Sequence, residues 1–238
     1  MNLEEQPVPQ DNTPRPFREI PALWLKLGEM TGAFFRQELP RASASNTFFA
    51  ILVFTAIAAP LSIVQFILSS IINPQGASGG ASATTAATAI GTAALTLCCI
   101  ELFIPTISFY LNVGITYVSA KVFGGRGTFS AQAYLTSLYF VPLGLISSLF
   151  GYISLVPRLG IYMFSLLALG VGIFHLRLTV SQFKVVHGFS TGRAVAAVLA
   201  PLVLLVIPIC LIAILTLMGP MVGNVFSSIN ASLGTPAP

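Results

Sequence analysis

Polar residues that could carry chemistry are concentrated in one stretch of an otherwise apolar chain, residues 172–193. The stretch holds both histidines and three of the eleven cations, in the order His175, Arg177, Lys184, His187 and Arg193. A histidine beside cations could transfer protons, and an arginine within an apolar run could bind an anion. The elements that carry these residues decide between such a site and a structural boundary.

Composition identifies those elements as membrane-spanning helices. The chain is 55% hydrophobic and 8% charged, whereas about 25% of residues are charged in a typical soluble domain. Several uninterrupted apolar runs are long enough to cross a hydrocarbon core of roughly 30 Å as helices. Because the runs lack the alternation of barrel strands, the sequence predicts an all-α integral membrane protein with a helical bundle.

The sequence contains no motif for catalysis, for a cofactor or for a metal. Cys98, Cys99 and Cys210 lie inside apolar runs without CxxC spacing or clustered histidines. GxSxG and HExxH motifs are absent, and the glycine-rich run at 124–127 lacks the context of a phosphate loop. The net charge of +4 comes from cations spread over loops and helix ends, so nucleic-acid binding is not predicted. We therefore predict no catalytic, cofactor-binding or metal-binding residues and no enzymatic activity.

Two membrane-proximal segments precede the first span. Residues 1–19, with four prolines and four acids, are predicted to form a disordered tail. Residues 20–46 carry apolar side chains at helical spacing, and Trp24 among them is typical of a helix lying in the membrane interface. A helix packed against protein on the same side of the membrane fits the same pattern equally well.

Five spans are predicted within residues 47–218. They cover approximately residues 47–72, 102–121, 131–156, 159–183 and 194–218, and residues 219–238 follow as a tail. A straight helix over residues 84–122 would measure roughly 58 Å, nearly twice the hydrocarbon thickness. The stretch is therefore expected either to break, most simply at Pro105, or to protrude, with residues 84–101 as an extra helical segment that is an outer segment or a helical extension outside the membrane. The sequence leaves open whether that segment enters the membrane.

The cations are distributed unequally between the two sides of the predicted bundle. Nine lie in the N-terminal segment or in the loops at 121–130 and 184–193, whereas the other side has Arg158 alone, with intramembrane Arg177 left out of the count. Cytoplasmic loops of membrane proteins carry the excess of Lys and Arg. This rule predicts a cytoplasmic N-terminus and an outside C-terminus.

Glu101 and Arg177 are charged residues within apolar runs, and a pair between them would suggest proton transport. Their depths differ, because Arg177 lies roughly 10 Å from Lys184 and Glu101 roughly 30 Å from Lys121 along their helices. The two therefore cannot meet in one subunit unless the second stretch is re-entrant. Arg177 is then expected to reach lipid headgroups, and Glu101 to be an interfacial acid. The predicted contacts to lipid or to a partner are Trp24, Arg177, Lys184, His187 and Arg193.

Three short motifs follow one another at fixed positions relative to the spans. They are Phe-Gly-Gly-Arg-Gly-Thr-Phe at 123–129, Tyr-Phe-Val-Pro at 139–142 and His-Gly-Phe-Ser-Thr-Gly-Arg-Ala at 187–194. In order and spacing they resemble the bacterial branch of the Yip (Ypt-interacting protein) family, multi-span membrane proteins with a similar five-span layout. The resemblance implies a non-enzymatic membrane protein. A motif similar to Asp-Leu-Tyr-Gly-Pro, expected of the GTPase-associated branch, is absent, so GTPase binding is not implied.

The sequence favours an accessory or scaffold protein that contacts lipids and other integral membrane proteins. The resemblance places it in a cell membrane, the inner membrane of a bacterium. A transporter or channel component is the alternative, because prolines could break helices around a pathway, at positions Pro60, Pro105, Pro142, Pro201 and Pro208. Against it, polar groups inside the spans are few and do not converge. A role in organising membrane shape or pigment and redox assemblies is compatible with the sequence but has no motif behind it.

Overall fold

The computed structural model describes residues 13–72 and 83–233, and within these ranges the chain is helical without strands. The α-helices described there are α1 (Ile20–Trp24), α2 (Gly32–Glu38), α3 (Ala44–Ile72), α4 (Ala83–Val122), α5 (Phe129–Gly151), α6 (Gly160–His187) and α7 (Thr191–Leu233). Short 3-10 turns lie at Phe17–Glu19, Leu27–Glu29, Leu39–Arg41 and Tyr152–Leu155. Five stretches are long and apolar enough to span a membrane: Ala44–Ile72, Phe103–Val122, Phe129–Leu155, Gly160–His187 and Thr191–Asn230. The predicted five-span, all-α architecture is confirmed.

Helix α5 lies at the centre of the bundle, between α3 and α6. Its side chains Tyr134, Leu138 and Tyr139 are fully buried. On the α3 side, the Phe54 ring packs 5.6 Å from that of Phe140, measured between ring centroids. Helices α6 and α7 leave long apolar faces exposed. In a membrane, those faces are covered by lipid or by other membrane proteins.

Helix α4 is continuous through Pro105, so of the two predicted alternatives the structure has the helical extension and not the break. A proline removes one backbone donor, and transmembrane helices tolerate this loss when the rest of the hydrogen-bond ladder is intact. With 40 residues, the helix extends about 60 Å. Its stretch Phe103–Val122 is long and apolar enough to span a membrane, and residues 83–102 belong to the same helix. The predicted extra segment 84–101 is therefore part of α4.

The N-terminal segment is broken rather than one continuous helix over residues 20–39. Extended backbone at Met30 and Thr31 (ψ 93° and 178°) separates α1 from α2. Both short helices turn apolar side chains inward, and Ile20 and Phe35 are completely buried in a cluster with residues of α5 and α6. Of the two packing arrangements that the pattern allowed, the structure has the one against protein. Residues 1–12 of the predicted tail lie outside the described part.

The ends of α6 and α7 also differ from the predicted spans. Helix α6 continues past residue 183 to His187, where Gly188, at φ 69°, ends it in the left-handed conformation that glycine adopts readily. Lys184 therefore lies on a helix rather than in a loop. Helix α7 continues past residue 218 to Leu233, because its apolar sequence carries on beyond Pro220. The predicted tail from 219 is helical to that point.

Candidate functional site at the basic end of the bundle

One end of the bundle gathers most of the polar groups and is called the basic end here. It comprises residues 13–43, the turn 123–128 between α4 and α5, and the turn 188–190 between α6 and α7. The two turns meet directly, since the backbone N–H of Arg126 donates to the carbonyl of His187. The N-terminal segment packs on the same end through α5 and α6. The cations of residues 172–193 thus lie beside a surface that three segments of the chain form together.

A buried polar network joins α4, α5 and α6 beneath this end. The side-chain nitrogen of Gln132 donates to Thr116 Oγ1 (2.9 Å) and to the Val113 carbonyl (3.2 Å), both on α4. These bonds fix the amide orientation, so its oxygen faces His187 Nε2, 2.9 Å away on α6. Gln132 is completely buried. One glutamine therefore ties together three helices.

A second glutamine, Gln182, extends the network deeper between α5 and α6. Its nitrogen donates to the backbone carbonyl of Gln132 (2.7 Å) and to Thr136 Oγ1 (2.9 Å). Its oxygen accepts from the Tyr139 hydroxyl at 2.8 Å. The Tyr139 ring in turn packs edge-on against His175, with 5.3 Å between ring centroids. The polar atoms of both glutamines are thus engaged within the protein.

His187 is 2% exposed, so its predicted role as a surface contact to lipid or to a partner is wrong. The ring stacks on Phe189 at 5.5 Å and contacts Phe183 at 5.3 Å. The imidazole lies under the glycine-rich turn, where a Cβ at Gly125 would come within 2.6 Å of Nδ1. His187 Nδ1 itself has no hydrogen-bond partner among the described residues. The close approach of the end of α6 therefore explains Gly125, which lies against His187, and Gly127, which lies against Val186 and His187, while Gly124 adopts a positive φ of 83°.

Gly127 gives a test of this packing. A Cβ at Gly127 would lie 2.6 Å from the Val186 carbonyl oxygen and 3.0 Å from His187 Nδ1. We expect Gly127→Ala to destabilise the protein by about 1–3 kcal/mol, the usual cost of overpacking. Thermal unfolding in mild detergent measures the effect. Gly192→Ala is the matched control, because its Cβ would meet no atom within 4 Å; equal melting temperatures for the two variants would contradict the packing.

A buried acid, Glu38, holds the N-terminal segment on the bundle. Arg15 reaches it with two nitrogens, at 2.8 Å (Nε to Oε2) and 2.5 Å (Nη2 to Oε1), and the Tyr134 hydroxyl on α5 donates to it at 3.3 Å. Glu38 is 1% exposed, and Arg41 approaches it at 3.9 Å. Hydrogen bonding to Glu38 raises the pKa of the Arg15 guanidinium, against the opposing effect of burial. The carboxylate is thus shared by the segment and by the bundle.

Trp24 is half-buried and turns toward the core clusters rather than toward lipid. Its indole nitrogen is buried without a hydrogen-bond partner among the described residues. The contact of Trp24 to lipid or to a partner stays a prediction, which concerns the part of the side chain left exposed when α1 packs on α5. Trp24 is the single tryptophan of the chain, which makes it a reporter of that packing.

The remaining predicted contact residues are on the surface but do not form one site. Arg177, Lys184 and Arg193 are exposed, and Arg177 lies deeper along α6 than Lys184. Glu101 lies within α4, and its side chain is outside the described part. No group of three His, Cys, Asp or Glu able to hold a metal occurs among the described residues. The structure thus separates the residues at 172–193 into a buried histidine and exposed cations.

Sequence reasoning missed the residues that organise the basic end, which are Glu38, Gln132, Tyr134 and Gln182. Gln132, Tyr134 and Gln182 are polar residues within predicted spans, and this is the signal that could have found them. Polar side chains inside membrane spans are rare and commonly bridge helices. Glu38 has charged and polar neighbours in the chain, so its sequence context does not distinguish it from a surface acid.

Helices α4 and α7 are joined by a bond that a proline makes possible. Pro201 has no N–H, so the Ala197 carbonyl one turn earlier loses its backbone donor. The Ser119 hydroxyl on α4 donates to this carbonyl at 2.6 Å. A proline that breaks one bond within α7 therefore creates an acceptor for a bond between helices.

The Ser119→Ala substitution tests whether the bond between Ser119 and the Ala197 carbonyl depends on Pro201. Losing one interhelical hydrogen bond costs about 1 kcal/mol in membrane proteins. In a Pro201→Ala background the backbone N–H returns, so the same serine substitution should cost much less. A double-mutant cycle on thermal stability in detergent measures the difference. The same loss in both backgrounds would show that Ser119 does not serve the freed carbonyl.

With the architecture and the basic end defined, the chain can be compared with known proteins. A family model, the Yip1 domain, matches residues 31–223. The chain belongs to the Yip1 domain family. This confirms the predicted family, and with five apolar spans it identifies a multi-pass membrane protein of a family not known as an enzyme family. The searches of curated proteins and of solved structures gave no match.

The matched range of this Yip1 domain protein covers four of the polar residues just described. Glu38, Gln132, Gln182 and His187 lie inside residues 31–223, whereas Arg15 and Trp24 precede them. The bundle and its buried network are therefore within the Yip1 domain. The part of the N-terminal segment that carries Arg15 precedes the Yip1 domain.

Proposed function

We propose that this Yip1 domain protein is a non-enzymatic accessory or scaffold protein of a cell membrane, which acts by contacting other membrane proteins and lipids. The supporting observation is the construction of the basic end. The buried side chains of Glu38, Gln132 and Gln182 make bonds within the protein. The cations at or beside this end are exposed, namely Arg18, Lys26, Arg36, Lys121, Arg126, Lys184 and Arg193. A rigid, positively charged platform suits recognition rather than bond chemistry.

The orientation belongs to the same proposal. We place the basic end and the N-terminus in the cytoplasm and the C-terminus outside, because the excess of cations is typical of cytoplasmic loops. Protease accessibility of an N-terminal tag tests this placement. The tag should be cleaved in inverted vesicles and protected in intact cells or spheroplasts, and the opposite result would overturn the orientation.

The transporter alternative gains no support from the polar groups of the described spans. Gln132, Gln182 and Tyr139 are fully buried and bonded to one another or to neighbouring helices. A transport pathway needs polar groups that are free to bind a solute.

The inner membrane of a bacterium is the proposed location of the protein, and this part of the proposal is based on the family resemblance alone.

Co-purification tests the scaffold proposal. The tagged full chain is extracted in mild detergent, and its partners are quantified by mass spectrometry. We expect at least one integral membrane protein in stoichiometric amount, which is lost in a Lys26→Glu, Arg36→Glu double variant. Arg158→Glu, a cation between α5 and α6 away from the basic end, is the control and should retain the partner. A monomer without a stoichiometric partner across extraction conditions would overturn the proposal.

A further inference from the structure

An apolar groove of about 660 Å³ runs between α4 and α7 within the membrane spans. Its walls include Tyr110, Gly114, Val118, Phe123, Pro201 and Leu204. Pocket volumes of about 300–1,000 Å³ are typical of small-molecule and lipid-sized ligands. The wall residues Val118 and Leu204 are 62% and 71% exposed, so the groove is open to the surroundings of the bundle.

The groove exists because α7 makes contact with α4 only over its first turns. Ala194 and Ala197 are completely buried beside Ala120, whereas the described residues of α7 from Leu202 onward are exposed. The bond from Ser119 to the Ala197 carbonyl lies at this transition. Beyond Pro201 the two helices leave space between them.

The end of the groove at Val122 and Phe123 lies beside two cations for which the described part of the chain shows no acidic partner. Lys121 precedes these residues on α4, and Arg193 lies in the first turn of α7; both are exposed. No Asp or Glu follows Glu101 anywhere in the chain, and the ion pairs seen in the described part involve Glu19 and Glu38. The contacts of Lys121 within the described residues are to neutral groups, the Gly125 carbonyl at 3.2 Å and the centroid of the Tyr117 ring at 5.2 Å.

We propose that this groove binds one acyl chain of an anionic phospholipid, with the lipid phosphate held by Lys121 and Arg193. An apolar channel at membrane depth that ends at two cations has the form of such a lipid, whose chain is apolar and whose headgroup is negative. The Lys121 ammonium keeps donors to spare after its bond to Gly125. The charge at the end of the groove distinguishes a headgroup from a second helix, whose apolar surface would gain nothing from it.

This inference rests on the lipid contacts in the proposed function and not on its protein contacts, so the two fail separately. Absence of a protein partner in co-purification leaves the groove untouched. Absence of lipid in the groove leaves the protein platform untouched.

Photocrosslinking tests the groove directly. The full chain is reconstituted in vesicles of phosphatidylcholine with a minor share of phosphatidylglycerol that carries a diazirine on its acyl chain, and crosslinked peptides are mapped by mass spectrometry. We expect crosslinks concentrated on the groove walls, residues 110–123 and 200–204. The same probe on phosphatidylcholine should label these residues much less.

Gly114→Phe should block the groove. A Cβ at Gly114 meets no atom within 4 Å, so the added ring can enter the space without displacing the helix. We expect about tenfold less crosslinking of the groove walls, since a ring there excludes most of a bound chain. Gly170→Phe, on the exposed face of α6 and equally free of neighbours, is the matched control and should leave labelling unchanged.

The headgroup is tested by a Lys121→Gln, Arg193→Gln double variant, with Arg158→Gln as its control. The double variant should lose the preference for phosphatidylglycerol over phosphatidylcholine, and the control should keep it. Trp24 emission checks that each variant is folded. Three results would overturn the proposal: even labelling of every lipid-facing helix, unchanged labelling in Gly114→Phe, or crosslinks from the groove to a second protein chain in place of lipid.

Discussion

Glu38→Ala is expected to loosen the fold of the N-terminal segment, residues 13–43, and its packing on α5 and α6, while the spans stay folded. The substitution leaves Arg15, whose side chain is 18% exposed, without its main acidic partner, and leaves the Tyr134 hydroxyl without its acceptor. Removing one member of a largely buried ion pair costs about 3 kcal/mol or more. The segment retains the apolar packing of Ile20 and Phe35, so we expect a mixture of docked and released states.

Two measurements follow the release. The emission of Trp24, the single tryptophan, should shift to longer wavelength, and trypsin should cut faster at Arg18, Lys26 and Arg36. Glu19→Ala is the control, because Glu19 meets Arg15 at an exposed site where a pair is worth about 1 kcal/mol or less. If Glu38→Ala keeps the emission and the cleavage rate of the unmodified protein, Glu38 does not hold the segment.

Gln132→Leu is expected to destabilise the bundle itself. The leucine removes the bonds to the Val113 carbonyl, to Thr116 and to His187, which lie on two neighbouring helices. Interhelical hydrogen bonds in membranes are worth about 1 kcal/mol each, so we expect a loss of roughly 3 kcal/mol. His187 would then have both ring nitrogens buried without a partner.

Unfolding in detergent, by heat or by titration with a denaturing detergent, measures this loss. Gln65→Leu is the matched control, since Gln65 makes one described bond to another helix, at 3.0 Å to the Gly151 carbonyl, and should cost about 1 kcal/mol. A His187→Phe substitution added to Gln132→Leu should recover part of the stability, because an apolar ring needs no partner. Equal losses in Gln132→Leu and Gln65→Leu would contradict the central role of Gln132.

The spans and the family could be predicted because they depend on local properties of the chain. The length and the apolar character of a segment decide whether it crosses a membrane, and both can be determined from consecutive residues. The continuity of α4 at Pro105 was beyond prediction, since proline kinks some membrane helices and leaves others nearly straight. The path of α7 beyond residue 218 was missed for a similar reason, as Gly219 and Pro220 are also tolerated inside such helices.

The candidate site was less accessible from sequence because it depends on contacts between distant residues. Glu38 and Tyr134 meet across 96 positions, and Gln132 and His187 across 55. Nothing near His187 in the chain indicates that a glycine-rich turn covers it. Only the general rarity of glutamine inside apolar helices could have drawn attention to Gln132 and Gln182.

The docking of the N-terminal segment also dictates an order of assembly. Ile20 and Phe35 leave the ribosome long before Leu178 and Val186, which complete their cluster. Until then the segment has apolar side chains and no pocket for them. Its amphipathic pattern lets it rest on the membrane surface during this interval. The N-terminal segment can therefore pack on the bundle, with Glu38 buried against Tyr134, only after α6 has been made.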